Sequence, residues 1–516
     1  MSRKSFLIIF LVLALVVMAG CSGKSAQNGG DLERQTGPNG TADRNGGEIT
    51  VAMAAAVQSF DPLKSVSGAD YSYYYLVYDT LVDLDEEGKA APNLAKSWEI
   101  PDPRTIILHL QENVKFHDGT PFDAEAVKWN LERANSPDSS TKDLANIQSV
   151  DIIDPLTVRL NLSQPDASII LVLSDRPGTM ISPAAYEKYG DDYHLNPVGT
   201  GPFKITRHIS NQEVVYEKNT EYWKEQKPYL DKITFKVMSD ANAVMNALQA
   251  GEIQVSGLAA GAVQVLQNDP RFELHINEQL VYWTFHLNTS LPPLDNQKVR
   301  EAIKYAIDKE AMNQAINLGF GKVAHQTFPE GYIAYNPDVR SEYNLEKARQ
   351  LMRESGVQNP EIGIIYFANV PGWDTAAEII AAQLREIGFK VNLEAMEVNA
   401  ALAKWFEAKS HTLVATWSGR NDPLQTLFNL YAIDGPTNIG KTAPPGMDVQ
   451  MKKARENYDE AVRVEAFREI VALADKHVYS VPLFYLPEII AFAKDVKGYK
   501  THFIKKPDFS YLYIEK

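Results

Sequence analysis

Val114-Lys115-Phe116-His117-Asp118-Gly119-Thr120-Pro121-Phe122 runs directly into Asp123 and an amphipathic segment. Asp123 is placed to cap a helix running through Arg133, because its carboxylate can accept a free amide of the first turn. Glu125 in that turn suits the positive end of the helix. Val127, Leu131 and Ala134 fall along one side. On either side the period changes to two. Thr105 to Leu110 alternates, and so do residues 156–162, where Leu156, Val158, Leu160 and Leu162 share one face. Asp154-Pro155 before them is a turn signal.

The same mixture continues outward. Ile49-Thr50-Val51 predicts a strand near the start of the body. Residues 242–250 predict a helix closed by Gly251, followed by Ile253-Gln254-Val255 as a strand. Val299, Ala302, Ile303, Ala306 and Ile307 lie at helical spacing. Residues 345–354 predict a further helix. A helix over 375–386 ends before Gly388, a fitting C-terminal glycine, and a strand follows over 390–394. The chain is therefore mixed α/β, and it has no internal repeat. Its body runs from Gly47 to Lys516. Single cores stop growing near about 250–300 residues, so at least two lobes are expected.

Several blocks recur in a telling order: Pro92-Asn93-Leu94-Ala95-Lys96-Ser97-Trp98, the Val114 to Phe122 stretch, Pro197-Val198-Gly199-Thr200-Gly201-Pro202-Phe203, Glu221-Tyr222-Trp223, Leu248-Gln249-Ala250-Gly251-Glu252-Ile253, Phe285-His286-Leu287-Asn288, Val299-Arg300-Glu301-Ala302-Ile303 and Val481-Pro482-Leu483. Together they resemble family 5 of the bacterial extracellular solute-binding proteins, the peptide- and nickel-binding type. The resemblance covers essentially the whole mature chain. It implies a two-lobed α/β fold of the periplasmic-binding-protein type (type II, the large form with an extra subdomain), with the ligand cleft between the lobes. Lobe I would comprise 47–66, 196–287 and 486–516. An inserted subdomain would occupy 67–195, and lobe II 288–485. Hinge crossings would lie near 283–288 and 483–487. The resemblance further implies a monomer that closes on a peptide-like or other small solute and delivers it to the permease of an ABC importer.

The resemblance also suggests the pocket. Trp417-Ser418-Gly419-Arg420-Asn421-Asp422-Pro423 resembles the family's pocket segment in lobe II. It implies that Trp417 lines the cleft, with Asn421 beside it, and that Asp422 pairs with a peptide amine. The alternative for Asp422 is an N-cap, since Asp-Pro opens many helices. Arg420 is suited to a ligand carboxylate. Arg176, in Ser174-Asp175-Arg176-Pro177-Gly178, sits where some relatives place a ligand-facing arginine; its alternative is a surface-loop ion pair. By the same analogy Met53, Phe60 and Tyr71 approach the cleft, Tyr73 and Tyr74 fall in the same cluster, and Tyr282 and Trp283 lie at the hinge.

The N-terminus supplies an address. Arg3 and Lys4 precede an apolar run from Phe6 to Val17, and Met18-Ala19-Gly20-Cys21 follows. That is the layout of a secretory signal, and the run is shorter than the roughly 20 residues a spanning helix needs. The segment over 1–21 resembles a lipobox, which implies that Cys21 is acylated and becomes the mature N-terminus. The chain would then be anchored to the membrane on its extracytoplasmic side, in the periplasmic space of a Gram-negative cell. Residues 22–46 are rich in Gly, Asn, Ser, Asp and Arg and read as a flexible linker. Cys21 is the single cysteine, so disulfides and thiolate metal sites are excluded.

Other classes fit poorly. A net charge of −15 disfavours nucleic acid. The ten histidines are scattered, which argues against direct metal capture, although a metal held by an organic chelator remains an alternative ligand. An exported hydrolase is the alternative of another class, but neither GxSxG nor HExxH occurs, so no enzyme and no cofactor is expected. Residues 435–442, GPTNIGKT, match the phosphate-loop pattern. Ala443-Pro444-Pro445-Gly446 follows immediately, which predicts an irregular loop rather than a phosphate-binding helix start. Uptake and sensing remain alternative uses of the same receptor.

Overall fold

The computed structural model describes residues 44–65, 68–368, 370, 372–500 and 508–516. Cys21, the lipobox and most of the expected linker lie outside them. No helix of the described residues is long and apolar enough to cross a membrane.

The local signals produced the expected elements. Asp123 accepts the amide of Ala126 at 3.0 Å and opens the helix Ala124–Ala134. Gly251, with φ +74°, closes the helix Ala241–Ala250, and Gly388, with φ +95°, follows the helix Trp373–Glu386. Helices Gln297–Ala306 and Leu345–Ser355 stand where the periodicity puts them. One strand is displaced. It runs Val255–Gly257 rather than 253–255. Ile253 instead buries beneath the preceding helix, within the cluster formed by Val244, Ala247 and Leu248.

Two alternating segments form the centre of an antiparallel four-stranded sheet ordered Ala95–Asp102, Thr105–Leu110, Thr157–Leu162, Ile147–Asp154. Ile106, Leu108, Leu110, Val158, Leu160 and Leu162 turn one face inward against Val127 and Leu131 of the helix Ala124–Ala134. Each such side chain contributes about 1.5–3 kcal/mol relative to exposure. The region from about 63 to 180 thus has its own core.

Gly199 and Gly201 lock this region to its neighbour. A Cβ on Gly201 would stand 2.4 Å from the carbonyl carbon of Val77, and one on Gly199 would stand 2.3 Å from its oxygen. The amide of Gly201 donates to Val77 O at 2.9 Å. Only glycine permits that approach.

Among the described residues, eleven further strands form one large sheet, in which Lys322–Val323 pairs with Ser480–Ala493 off the main path; Val82–Leu84 with Ala90–Pro92, and Val496–Lys497 with Tyr513–Ile514, form two small sheets of their own. The path of the large sheet runs Lys390–Met396, Glu361–Phe367, Thr412–Ser418, Phe272–Leu287, Ser480–Ala493, Val255–Gly257, Glu48–Met53, Lys232–Val237, Glu213–Lys218, Phe203–Ile209. Phe272–Leu287 and Ser480–Ala493 are the longest strands and pair antiparallel along most of their length. Separate cores flank the two ends of the sheet. One gathers Ile49, Val51, Phe203, Ile233 and Phe235; the other gathers Phe285, Ile303, Ile364, Ile380 and Val414. Between them the register of the long pair breaks. Glu278 faces Pro487, and pairing resumes with Tyr282 opposite Tyr485. Residues 279–281 are one irregular step, and a second lies between Trp283 and Thr284, at the start of the 283–288 crossing that the resemblance implies.

Candidate ligand cleft

The pocket segment is built on the first of these steps. Thr412–Ser418 pairs with the long strand so that Trp417 stands opposite Tyr282. The chain then turns at Gly419, whose amide donates to Leu280 O at 2.7 Å. A Cβ there would stand 2.7 Å from the Leu280 side chain, so the turn hugs the bulge only with glycine. Residues 420–422 lead into the helix Pro423–Tyr431.

Asp422 takes the capping alternative. Its Oδ1 accepts the amide of Leu424 at 2.8 Å. Its Oδ2 receives Nη2 of Arg463 at 2.7 Å, and its side chain is fully buried. Burial pushes the carboxyl up, and Arg463 beside it pulls the other way. Both oxygens are thus engaged inside the lobe.

Arg420 and Asn421 instead face a second segment. Asn421 Nδ2 donates to Ser174 Oγ at 2.6 Å, joining residues 247 positions apart. Next to Ser174, Asp175 receives the hydroxyl of Tyr71 at 2.5 Å and the amide of Arg176 at 2.7 Å. The Arg176 guanidinium lies 4.5 Å from the centre of the Tyr71 ring. Burial lowers the basicity of Arg420, but Asp175 and Tyr71 more than offset it and hold the cation above its ordinary value. The Tyr71 hydroxyl is pushed well up by burial and Asp175, against the pull of Arg176 and Arg420. Two arginines thus flank Asp175, and Asp143 also acts on Arg420.

Three buried polar atoms of these same segments have no hydrogen-bond partner: Trp417 Nε1, Gln279 Nε2 and Asn421 Oδ1. Buried polar atoms are normally paired, so such a group marks a place for water or ligand. These leave two donors and one acceptor on the irregular step and the pocket segment.

Other expected residues go elsewhere. Phe60 is a core residue, packed edge-on between Tyr73 and His208 with centroids 6.4 and 5.3 Å away. Trp283 is also core. It stacks on Trp373 at 4.3 Å and packs beside Phe484. Consecutive strand residues point to opposite faces, so Tyr282 alone turns toward Trp417, with Tyr485 and Ala324. Met53 ends the first strand half-buried against the core around Ile49 and Phe235. Its carbonyl receives the amide of Met238, and no described contact brings it to the arginines. Tyr73 and Tyr74 direct their hydroxyls to the carbonyls of Ala55 and Ser59. Sequence reasoning did not single out Ser174, Asp175 or Gln279. The first two sit in the quoted Arg176 segment, but nothing local shows that they meet residue 421.

Residues 432–446 form an irregular loop between the helices Pro423–Tyr431 and Met447–Glu456. Lys441 folds back so that its ammonium donates to Gly435 O at 2.9 Å. No helix opens at Lys441-Thr442, so the phosphate-loop pattern is a coincidence of spelling. Among the described residues no group of three His, Cys, Asp or Glu is arranged to hold a metal ion.

Comparison with known proteins agrees with this architecture. Residues 89–439 match the model of the bacterial extracellular solute-binding proteins, family 5 middle. The glutathione-binding protein GsiB of Escherichia coli (strain K12) is 32% identical over 366 residues, covering 69% of this chain and 71% of GsiB. The periplasmic binding protein DppA of Helicobacter pylori, solved with the peptide STSA, superposes with a TM-score of 0.81 at 27% identity, over 92% of this chain and 99% of DppA. AgaA of A. tumefaciens R10, solved with agropinic acid, gives a TM-score of 0.79 at 25% identity, over 91% and 99% of the two chains.

Proposed function

Because this chain belongs to family 5 of the bacterial extracellular solute-binding proteins, we propose that it grips a carboxylate-bearing, peptide-like solute at Arg176 and Arg420 and presents it to an ABC importer. The family consists of binding proteins rather than enzymes. The observation that carries the reading is the meeting of segments 71–75, 174–176 and 417–422, which sets Arg176 over the Tyr71 ring and Arg420 against Asp175 and Tyr71. Guanidinium forks suit carboxylates, and partial burial strengthens the pairing. A metal held by an organic chelator would be gripped through the same carboxylate contacts.

The lobes are taken as 47–66, 196–287 and 486–516 for the first, 67–195 for its inserted subdomain and 288–485 for the second. The register break at 279–281, opposite 485–487, supplies the hinge. A ligand that touches both sides favours the closed form by its differential affinity. The protein acts as a monomer, tethered outside the cytoplasm through acylated Cys21.

Isothermal titration of N-acetyl-glycyl-norleucine against its C-terminal amide tests the carboxylate claim. The acid is expected to bind and the amide to bind at least about tenfold more weakly, as loss of a charge-assisted hydrogen bond implies. Equal affinities would refute it.

A further inference from the structure

A cavity of about 560 Å³ opens beside the arginine cluster, within the range of small-molecule sites. It shares a wall with the cluster. Ser174, which receives Asn421, lines the cavity, as does Tyr75, whose ring stacks on Tyr71 at 5.9 Å.

Carboxylates outnumber cations around this chamber. Its lining holds five carboxylates and three lysines. The lysines are already engaged. Lys224 stands 4.0 Å from Asp79, Lys227 lies 3.7 Å from the Tyr511 ring centre, and Lys500 is 3.8 Å from Glu86. Burial lowers the basicity of Lys224, yet Asp79, Asp83 and Asp508 lift its ammonium above the ordinary value. Lys227 moves the other way, lowered by burial and by Lys500 against the pull of Tyr229 and Asp508, so the part of the chamber that favours a cation is the side around Asp83, Asp508 and Lys224. Asp79 is a fixed part of the wall, held by Thr200, Tyr222 and Trp223 at 3.0, 2.9 and 2.9 Å. Asp83 accepts the amide of Leu84, and Asp508 accepts the amide and the hydroxyl of Ser510, so both keep acceptor positions open. Asn93, 3% exposed, also lines the chamber, and its Oδ1 has no hydrogen-bond partner. An orphan acceptor beside two carboxylates and tyrosine faces is a receptor for N–H donors.

We infer that this chamber is a second subsite, taking an ammonium or guanidinium group of a solute whose carboxylate lies at Arg176 and Arg420. The inference rests on the carboxylate reading above and narrows it: the ligand is dipolar, with its positive end toward Asp83, Asp508 and Asn93. Substitution of asparagine at the two aspartates keeps both local amide contacts while removing the charge.

The test uses N-acetyl-glycyl-lysine and N-acetyl-glycyl-norleucine, which differ by one ammonium and carry no other cation. Isothermal titration of the intact mature protein is expected to show the lysine probe binding at least about tenfold more tightly, the size of a charge-assisted contact. In Asp83→Asn/Asp508→Asn the two probes converge while norleucine binding holds. Arg420→Gln weakens both together. Equal binding of the two probes to the unmodified chain overturns the inference, and that comparison needs no variant. A lysine preference that survives the double substitution also overturns it. If neither probe binds, the carboxylate reading falls with it; if norleucine binds without a lysine preference, the chamber alone is refuted.

Discussion

Asp422→Ala separates the structural role of this aspartate from a ligand role. The substitution removes the cap on Leu424, a loss of about 1 kcal/mol. It also leaves Arg463 with its guanidinium facing an empty buried position. Arg463 has a side-chain exposure of 12%, and Asp422 has 0%. Removing one partner of such a pair costs about 3–5 kcal/mol. Arg463 keeps one anchor, from Nε to the carbonyl of Ala454 at 2.9 Å, so the total stays near that range rather than adding. For a unit of roughly 200 residues this lowers the melting temperature by on the order of 10 °C. Asp422→Asn keeps an acceptor for Leu424 and is expected to lose less. The assay is thermal or urea unfolding of the ligand-free chain, followed by fluorescence. An Asp422→Ala protein that melts like its parent but no longer binds glycyl-norleucine, whose amine is free, would refute the assignment and return Asp422 to the ligand.

Other outcomes follow from the same geometry. Arg176→Gln is expected to weaken carboxylate binding about tenfold or more with little change in ligand-free melting, checked by titration and calorimetry at matched salt. Gly201→Ala drives a methyl into the Val77 backbone and is expected to destabilise the chain far more than Gly251→Ala, whose Cβ meets nothing within 4 Å; urea midpoints compare them. Burial pushes the imidazoles of His117 and His286 from 6.5 down to about 4. The unfolded chain then binds more protons than the folded one between those values. Stability is full above about pH 6.5 and falls as pH drops toward 4, and His286→Phe should flatten the midpoint-against-pH curve.

The sequence exposed what is local and hid what is not. Helix ends were legible because Asp123, Gly251 and Gly388 act on their own turn. The inserted sheet was legible because its alternation survives in the buried face of Leu108 and Val158. Asp422 was legible as a cap from Asp-Pro, but its partner Arg463 lies 41 residues on and leaves no local trace. Tyr282 and Trp283 illustrate a different limit. Alternation states that they face opposite ways, not which face meets the cleft. Phe60 looked like a wall residue by analogy, yet its surroundings come from Tyr73 and His208 in other elements. The arginine cluster itself depends on residues 71, 175, 176 and 420 meeting through the fold, and only the arginines and Tyr71 could be singled out in advance.

Native mass spectrometry of the mature chain, purified without denaturation, tests the central claim most directly. The expected result is a 1:1 complex with a small solute that carries a carboxylate, lost after partial unfolding and absent from Arg420→Gln prepared in parallel. A bare chain, joined by the absence of any melting shift across libraries of acidic peptides and metal chelates, would contradict it.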